Sequence, residues 1–187
     1  MNLDNIDKQI IRELFEDGRE SLTSLKENIF KSNNETMSHT GIKKRIDKLK
    51  EAGVLRVQGN INIDEIGYKA CYILLEMKNF KATKDIIKAY SNCPRVFLLS
   101  HISGQYDLLL GIVGQNMDIL HRYINHCGPT NKEGILHSQI LFVLNFQSVE
   151  FLPLKLFTKE SQECKCENVC ERCEAFLSGK CDGCGNF

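Results

Sequence analysis

Apolar residues recur at helical spacing three times before residue 53, then give way to strand-like runs. Ile6, Ile10, Ile11 and Leu14 lie three or four apart and end at Asp17-Gly18, which predicts a first helix. Asp4 is placed to cap it, with Asp7 in the capping-box position where Glu is more usual. Ser21 opens a second helix carrying Leu22, Leu25, Ile29 and Phe30, interrupted by the polar residues 31–35. A third helix is predicted over residues 38–52, with Ile42, Ile46 and Leu49 on its apolar face and Gly53 as the residue after its C-cap. Residues 54–57 and 61–63 then flank Gln58-Gly59-Asn60, a pattern that predicts a short hairpin.

From residue 69 the pattern alternates between strand and helix. Residues 71–77 read as a strand, and residues 82–90 as a helix with Ile86, Ile87 and Tyr90 inward. Pro94 separates that helix from a strand over 96–102, and Ser103-Gly104-Gln105 turns directly into the apolar run 106–113. A helix over 116–126 carries Ile119, Leu120, Tyr123 and Ile124, and Gly134 leads into a last strand over 135–146. The order βαββαβ is that of a ferredoxin-like α+β sandwich, with both helices on one face of an antiparallel sheet. Runs such as Leu108-Leu109-Leu110 and Leu141-Phe142-Val143-Leu144 are apolar on both faces of their strands, which predicts self-association through the other face. Four segments follow: helices over 1–53, a hairpin and linker over 54–68, the sandwich over 69–154 and a cysteine-rich tail over 155–187.

No apolar run reaches the roughly 18 residues needed to span a bilayer, and the first residues lack the basic and apolar regions of a secretory leader. A cytoplasmic protein without membrane contact is therefore expected. Formal net charge is zero, so the distribution of charge carries the information. Residues 38–56 hold six basic and two acidic side chains, a local excess of +4 (six minus two). With the helix before it, the third helix makes a candidate helix-turn-helix for double-stranded DNA. Ser38, His39, Thr40 and Lys43 sit near its N-terminal end, where base edges are read; Lys44, Arg45 and Lys48 are placed for phosphates. A merely solvated charged helix is the competing reading of the same charge run.

Nine cysteines, an odd number without an export signal, argue against a disulfide framework. Cys71, Cys93 and Cys127 are scattered, whereas Cys164, Cys166, Cys170, Cys173, Cys181 and Cys184 crowd the tail. Paired C-x-x-C units bring two thiolates together at a turn, as tetrahedral Zn²⁺ or an iron–sulfur cluster requires. Cys170, Cys173, Cys181 and Cys184 form one four-thiolate set, with Cys164 and Cys166 as extra ligands or redox-active thiols. Zn²⁺ is the first reading, an iron–sulfur cluster the second and a metal-free thiol switch the third. A tail this short needs a metal or cross-links to fold.

Leu3-Asp4-x-x-Asp7-x-x-Ile10-Ile11-x-x-Leu14-x-x-Asp17-Gly18-Arg19-x-Ser21 resembles the N-terminal signature of the Lrp/AsnC regulators. Ser38-x-x-Gly41-Ile42-x-x-Arg45-Ile46-x-x-Leu49-x-x-x-Gly53-Val54-Leu55 is similar to their recognition helix, and Ile66-Gly67-Tyr68 to the junction between their two domains. Gly104-x-Tyr106-Asp107-Leu108-Leu109-Leu110 resembles the turn and strand of their effector domain. The resemblance covers residues 2–150. It implies a DNA-binding transcription regulator without enzymatic activity, assembled as dimers or octamers and responsive to an amino-acid-like effector near Gly104, Tyr106 and Asp107. Gly104 as a plain turn residue, and Asp107 as a backbone acceptor, is the competing reading there. The sequence departs from the family at residues 31–35, which lengthen the helix-turn-helix, and at Gly41, where Thr is common. The cysteine-rich tail would add a metal, iron–sulfur or redox input. Two alternatives stand beside this reading: a tetrapyrrole enzyme resembling the siroheme decarboxylases, and a metal or iron–sulfur module without DNA binding. The histidine-bearing segment expected of that enzyme is not evident in Val96-Phe97-Leu98-Leu99-Ser100-His101.

Overall fold

The structure, a computed structural model, describes residues 2–29, 36–148, 150–154, 172–181 and 183. The chain divides into two compact units, Met1–Gly59 and Asn60–Phe187.

The first unit contains α1 (Asn5–Glu16), α2 (Leu22–Asn28) and α3 (His39–Glu51). Each begins where a side-chain oxygen can accept an otherwise unpaired first-turn amide. Asp4 accepts from the Asp7 amide at 2.9 Å and donates its own amide to the Asp7 carboxylate at 3.3 Å, closing the capping box. Ser21 and Ser38 accept from the amides of Ser24 and Gly41, each at 3.1 Å. Gly53 takes φ +68° after the C-cap of α3, where a side chain would be strained. Ile10, Leu25, Ile29, Ile42, Ile46 and Leu49 bury together, with Leu55 packed on them. At about 1.5–3 kcal/mol per buried side chain, this cluster is the main force holding three short helices. Phe30 and residues 31–35 lie outside the described residues.

The second unit is a four-stranded antiparallel sheet in the order β3-β4-β2-β5, with β2 (Lys69–Met77), β3 (Val96–His101), β4 (Leu108–Gly114) and β5 (Ile135–Phe142). Helices α4 (Phe80–Tyr90) and α5 (Met117–Arg122) complete the βαββαβ order. Cys71, Ile73, Leu75, Leu108, Leu110 and Ile112 point to these helices and bury against Ile86, Tyr90, Leu120, Tyr123 and Ile124. After α5 the helix widens into a single π turn over Tyr123–Cys127, which seats Tyr123, Ile124 and Cys127 in this core. Cys71, Cys93 and Cys127 are core residues, and burial pushes the Cys71 thiol up to about 12.

The second face of the sheet is not left wholly open. β1 (Ile61–Asn62) pairs with β6 (Phe151–Leu152), and Ile63 and Leu152 bury on Ala70 and Val113. The hairpin expected between residues 54–57 and 61–63 therefore does not form. An isolated hairpin is marginal in water, and Ile63 gains more by covering the sheet. Phe97 also lies on this face, its ring against Gly111, where a Cβ would come within 2.5 Å. The last strand stops at Phe142 rather than 146, because Val143 and Phe146 turn in to the same small core. Leu136, Leu141 and Leu144 remain exposed.

Candidate functional site

α3 is two-sided. Ile42, Ile46 and Leu49 are buried at spacings of four and three, so the opposite side of a 3.6-residue helix must face solvent. His39, Thr40, Lys43, Lys44 and Lys48 are all exposed, with Thr40, Lys44 and Lys48 on that solvent side, within a helix that Ser38 caps. Five of the expected DNA contacts are thus solvent-exposed along α3. The Ser38 hydroxyl oxygen is engaged as the cap. At Gly41 a Cβ would stand 3.0 Å from the end of Met37 and 3.2 Å from the Ser38 hydroxyl, so glycine gives these two room at the helix entry.

Arg45 does something else. Its guanidinium reaches back to α1 and donates from Nη1 to Asp4 at 2.6 Å and to Asp7 at 2.8 Å. The amide of Asp7 and then the Arg45 guanidinium hold the Asp4 carboxyl below the usual carboxylate range. The same hydrogen bond to Asp4 raises Arg45 further. Arg45 was expected to meet phosphate; here it links α3 to α1. Asp4 and Asp7, read from the sequence only as caps, also hold the Arg45 guanidinium. The available signal was the pairing of Leu3-Asp4-x-x-Asp7 with Arg45 in the two motifs.

The turn before β4 brings Gly104, Tyr106 and Asp107 together. Gly104 is exposed, takes φ +138° and has open space where a Cβ would stand. The Tyr106 hydroxyl donates to the Gln139 amide oxygen at 3.3 Å, and its ring stacks on His137 at 6.2 Å. One Asp107 carboxylate oxygen accepts the Met77 amide at 2.7 Å. That amide sits where β2 and β5 slip register between Glu76 and Met77, so Asp107 supplies an acceptor at the bulge.

In the tail, Cys173 precedes the single-turn helix α6 (Glu174–Leu177), and its carbonyl accepts the amides of Phe176 and Leu177. Cys173 and Cys181 are half-buried. Gly179 and Gly183 take φ +70° and +72°. Cys164, Cys166, Cys170 and Cys184 lie outside the described residues. Among the described residues, no three His, Cys, Asp or Glu side chains are grouped to hold a metal ion, and no helix is long and apolar enough to cross a membrane.

No protein-family profile matches the chain. A helix-turn-helix transcriptional regulator of Pyrococcus furiosus is 26% identical over 155 residues, which cover 82% of this chain and 97% of that protein. This chain therefore carries sequence that the relative lacks. The leucine-responsive regulatory protein of Rhizobium meliloti is 31% identical over 121 residues, 63% of this chain and 74% of that protein. Among solved structures, AsnC of Escherichia coli superposes with TM-score 0.64 at 19% identity, over 80% of this chain and 99% of that one. The leucine response regulatory protein of Mycobacterium tuberculosis gives 0.66 at 17% identity, over 79% and 97%. These curated relatives are named as regulators of transcription, which does not favour the tetrapyrrole-enzyme alternative. Sequence relatives, fold and the two-sided α3 agree: the chain belongs to the Lrp/AsnC family of helix-turn-helix transcriptional regulators.

Proposed function

We propose that this regulator binds double-stranded DNA by laying α3 in the major groove, with Ser38, His39, Thr40 and Lys43 toward base edges and Lys44 and Lys48 toward phosphates. The observation that carries this is the exposure of His39, Thr40, Lys43, Lys44 and Lys48 along a capped helix whose Ile42, Ile46 and Leu49 are buried. Arg45 is a positioning residue, fixing α3 against α1 through Asp4 and Asp7. A homodimer presents two such helices to half-sites about 10 base pairs apart, and dimers can assemble further toward an octamer. The exposed Leu136, Leu141 and Leu144 supply apolar surface for self-association. Fluorescence anisotropy with genomic fragments tests the DNA reading. Affinity should fall steeply as salt rises, with a preferred sequence. Equal, weak binding to every fragment would remove sequence-specific regulation, and no binding would favour a module that lacks DNA recognition.

Two inputs belong to the proposal. The first is an amino-acid-like effector at the turn of Gly104, Tyr106 and Asp107, supported by the open, exposed backbone at Gly104. Calorimetry with the twenty amino acids tests it, and heat from none of them overturns it. The second is a metal or redox input through the tail cysteines Cys164, Cys166, Cys170, Cys173, Cys181 and Cys184. Its support is six cysteines in 21 residues, four of them in two Cys-x-x-Cys pairs. Zn²⁺ is the favoured occupant, and an iron–sulfur cluster is the second. Metal analysis and an absorbance spectrum on protein purified without oxygen separate them. Protein free of zinc, iron and sulfide would leave the thiol switch.

A further inference from the structure

Helix α4 buries Thr83, Ile86 and Tyr90, three and four residues apart, so its opposite side faces solvent. Lys81, Lys84 and Lys88 repeat that spacing on the opposite side, and all three are exposed. At about 1.5 Å of rise per residue they span roughly 10 Å along the helix. Lys78 stands just before the cap Asn79 and adds a fourth cation at the same end. A cleft of about 500 Å³ between α4 and residues 132–134 brings in the half-buried Lys132, with Lys78, Lys81, Asp85 and Glu133 also in its lining. The Gly134 carbonyl accepts the Lys78 amide at 2.8 Å, and a Cβ on Gly134 would stand 2.5 Å from that of Ala82. The loop carrying Lys132 is therefore held close against α4. Among the described residues none of these five lysines forms an ion pair; the Lys84 ammonium instead lies 4.5 Å over the exposed Phe80 ring.

Folding alone does not ask for this arrangement. The first turn of a helix favours acidic side chains, because its unpaired amides leave a partial positive charge there. The first turn of α4 has no acidic residue and carries Lys81. Lys81 and Lys84, and Lys84 and Lys88, are like charges at the separations where helix neighbours repel. Residues 78–88 hold four lysines and one aspartate, a local excess of +3 (four minus one) in a chain of zero net charge. With the +4 over residues 38–56, this leaves the remaining residues at −7 (zero minus seven). Basic charge is thus concentrated in two segments, one in each compact unit. A spaced row of cations without counter-ions fits a polymer with an anion at every repeat. Duplex DNA carries roughly one negative charge per 1.7 Å of its axis, so a row of this length meets several phosphates.

We propose that the lysine face of α4, formed by Lys81, Lys84 and Lys88 with Lys78 and Lys132 beside it, is a second DNA-contact surface that holds phosphates and reads no bases. The inference rests on the reading of α3 as DNA-binding and extends the contact to the sheet unit. Lysine suits the task, since its compact ammonium on a flexible stem meets a phosphate oxygen as a point charge and carries no base identity.

Salt titrations of DNA affinity on the full chain test this, with the preferred duplex and a random one, for the parent and for the double variant Lys81→Gln and Lys88→Gln. Both side chains are exposed, so the variant keeps the fold. The slope of log affinity with log salt should fall by about 1.8, two phosphate contacts at about 0.9 each, and equally on both duplexes. Lys69→Gln removes an exposed cation of β2 outside α4 and should leave the slope at the parent value. Chemical labelling of lysine amines read by mass spectrometry gives a second measure without mutation. Lys81 and Lys88 should lose reactivity when DNA is bound, and Lys69 should keep it. An unchanged slope in the double variant, or unchanged labelling at Lys81 and Lys88, would overturn the proposal and leave α3 as the DNA surface. A drop in slope with Lys69→Gln half as large as in the double variant would also overturn it, because net charge rather than contact would then be the cause. A parent chain that binds neither duplex would fail the α3 reading itself, and this one with it.

Discussion

Arg45 stands between two carboxylates with 30% of its side chain exposed, whereas Arg95 stands between a carbonyl and a tyrosine ring at 1%. Both tie together segments far apart in sequence. Around Arg45 every charge has a partner of opposite sign, and water screens the outer half of the arrangement, since Asp4 is 52% exposed. Around Arg95 water is excluded, so each interaction counts for more and each loss costs more. The difference teaches what each is for. Arg45 ties α3 to α1 at a wet surface, and Arg95 ties Gly183 to a dry core.

The comparison breaks most visibly at Arg95. Arg95→Met removes the donor to Gly183 and the cation over Tyr123 from a dry site, at an expected cost of about 2–4 kcal/mol to the unit spanning 60–187. Urea denaturation followed by tyrosine fluorescence measures it. A midpoint unchanged from the parent would mean that the tail contact contributes nothing to that unit.

Arg45→Met is expected to cost less, about 1–2 kcal/mol in the unit spanning 1–59. Its bond to Asp7, 8% exposed, contributes most, and the bond to Asp4 is discounted for screening. DNA affinity should fall along with it, because α3 loses its tether to α1. The salt dependence of binding should stay as it was, since no phosphate contact is removed. A shallower salt dependence would return Arg45 to the list of phosphate contacts.

How far these roles could be read beforehand follows from sequence distance. The caps at Asp4, Ser21 and Ser38, and the apolar faces of α1 and α3, are set within a few residues, and the sequence displays them directly. The βαββαβ order was legible for the same reason. The Asp4–Arg45 bond spans 41 residues and Arg95–Gly183 spans 88, and no local pattern announces either. The hairpin expected around Gly59 failed on the same ground: the turn signal is local, but Ile61 found Leu152. Gly111 gave no signal either, because its reason is a ring contributed by the neighbouring strand. At Gly104 the sequence displayed the turn itself, while the bulge that engages Asp107 became visible only with the β2–β5 register.

Acid sharpens the Arg45 side of the comparison. The Asp4 carboxyl is held below its ordinary value of 3.8, first by the Asp7 amide and then by Arg45. A depressed carboxylate stabilises the folded state above its unfolded pKa. That contribution begins to fade as pH falls below 3.8 and is gone below the folded value. The helical unit should therefore lose stability in that window, and Arg45→Met should lose less, since one of the two causes is already absent. Parallel acid titrations of parent and variant by circular dichroism check this; curves that keep a constant separation down to the lowest pH would deny the coupling.

The smallest effect on stability is expected where a basic residue of α3 has no structural duty. Lys44 and Lys48 are exposed on the side away from Ile42, Ile46 and Leu49, so Lys44→Gln or Lys48→Gln should leave unfolding within about 0.5 kcal/mol of the parent. Against DNA each should instead lower the slope of log affinity with log salt by about 0.9, the counterions released by one phosphate contact. The loss should be alike on preferred and random sequence, because a phosphate carries no base identity. Together with Arg45→Met, this separates two roles of a cation in one helix-turn-helix. One variant changes affinity without changing the salt slope, and the others change the slope without changing the fold. If Lys44→Gln and Lys48→Gln left the slope untouched, the basic surface of α3 would be a solvated face, and DNA contact would have to be sought on another element.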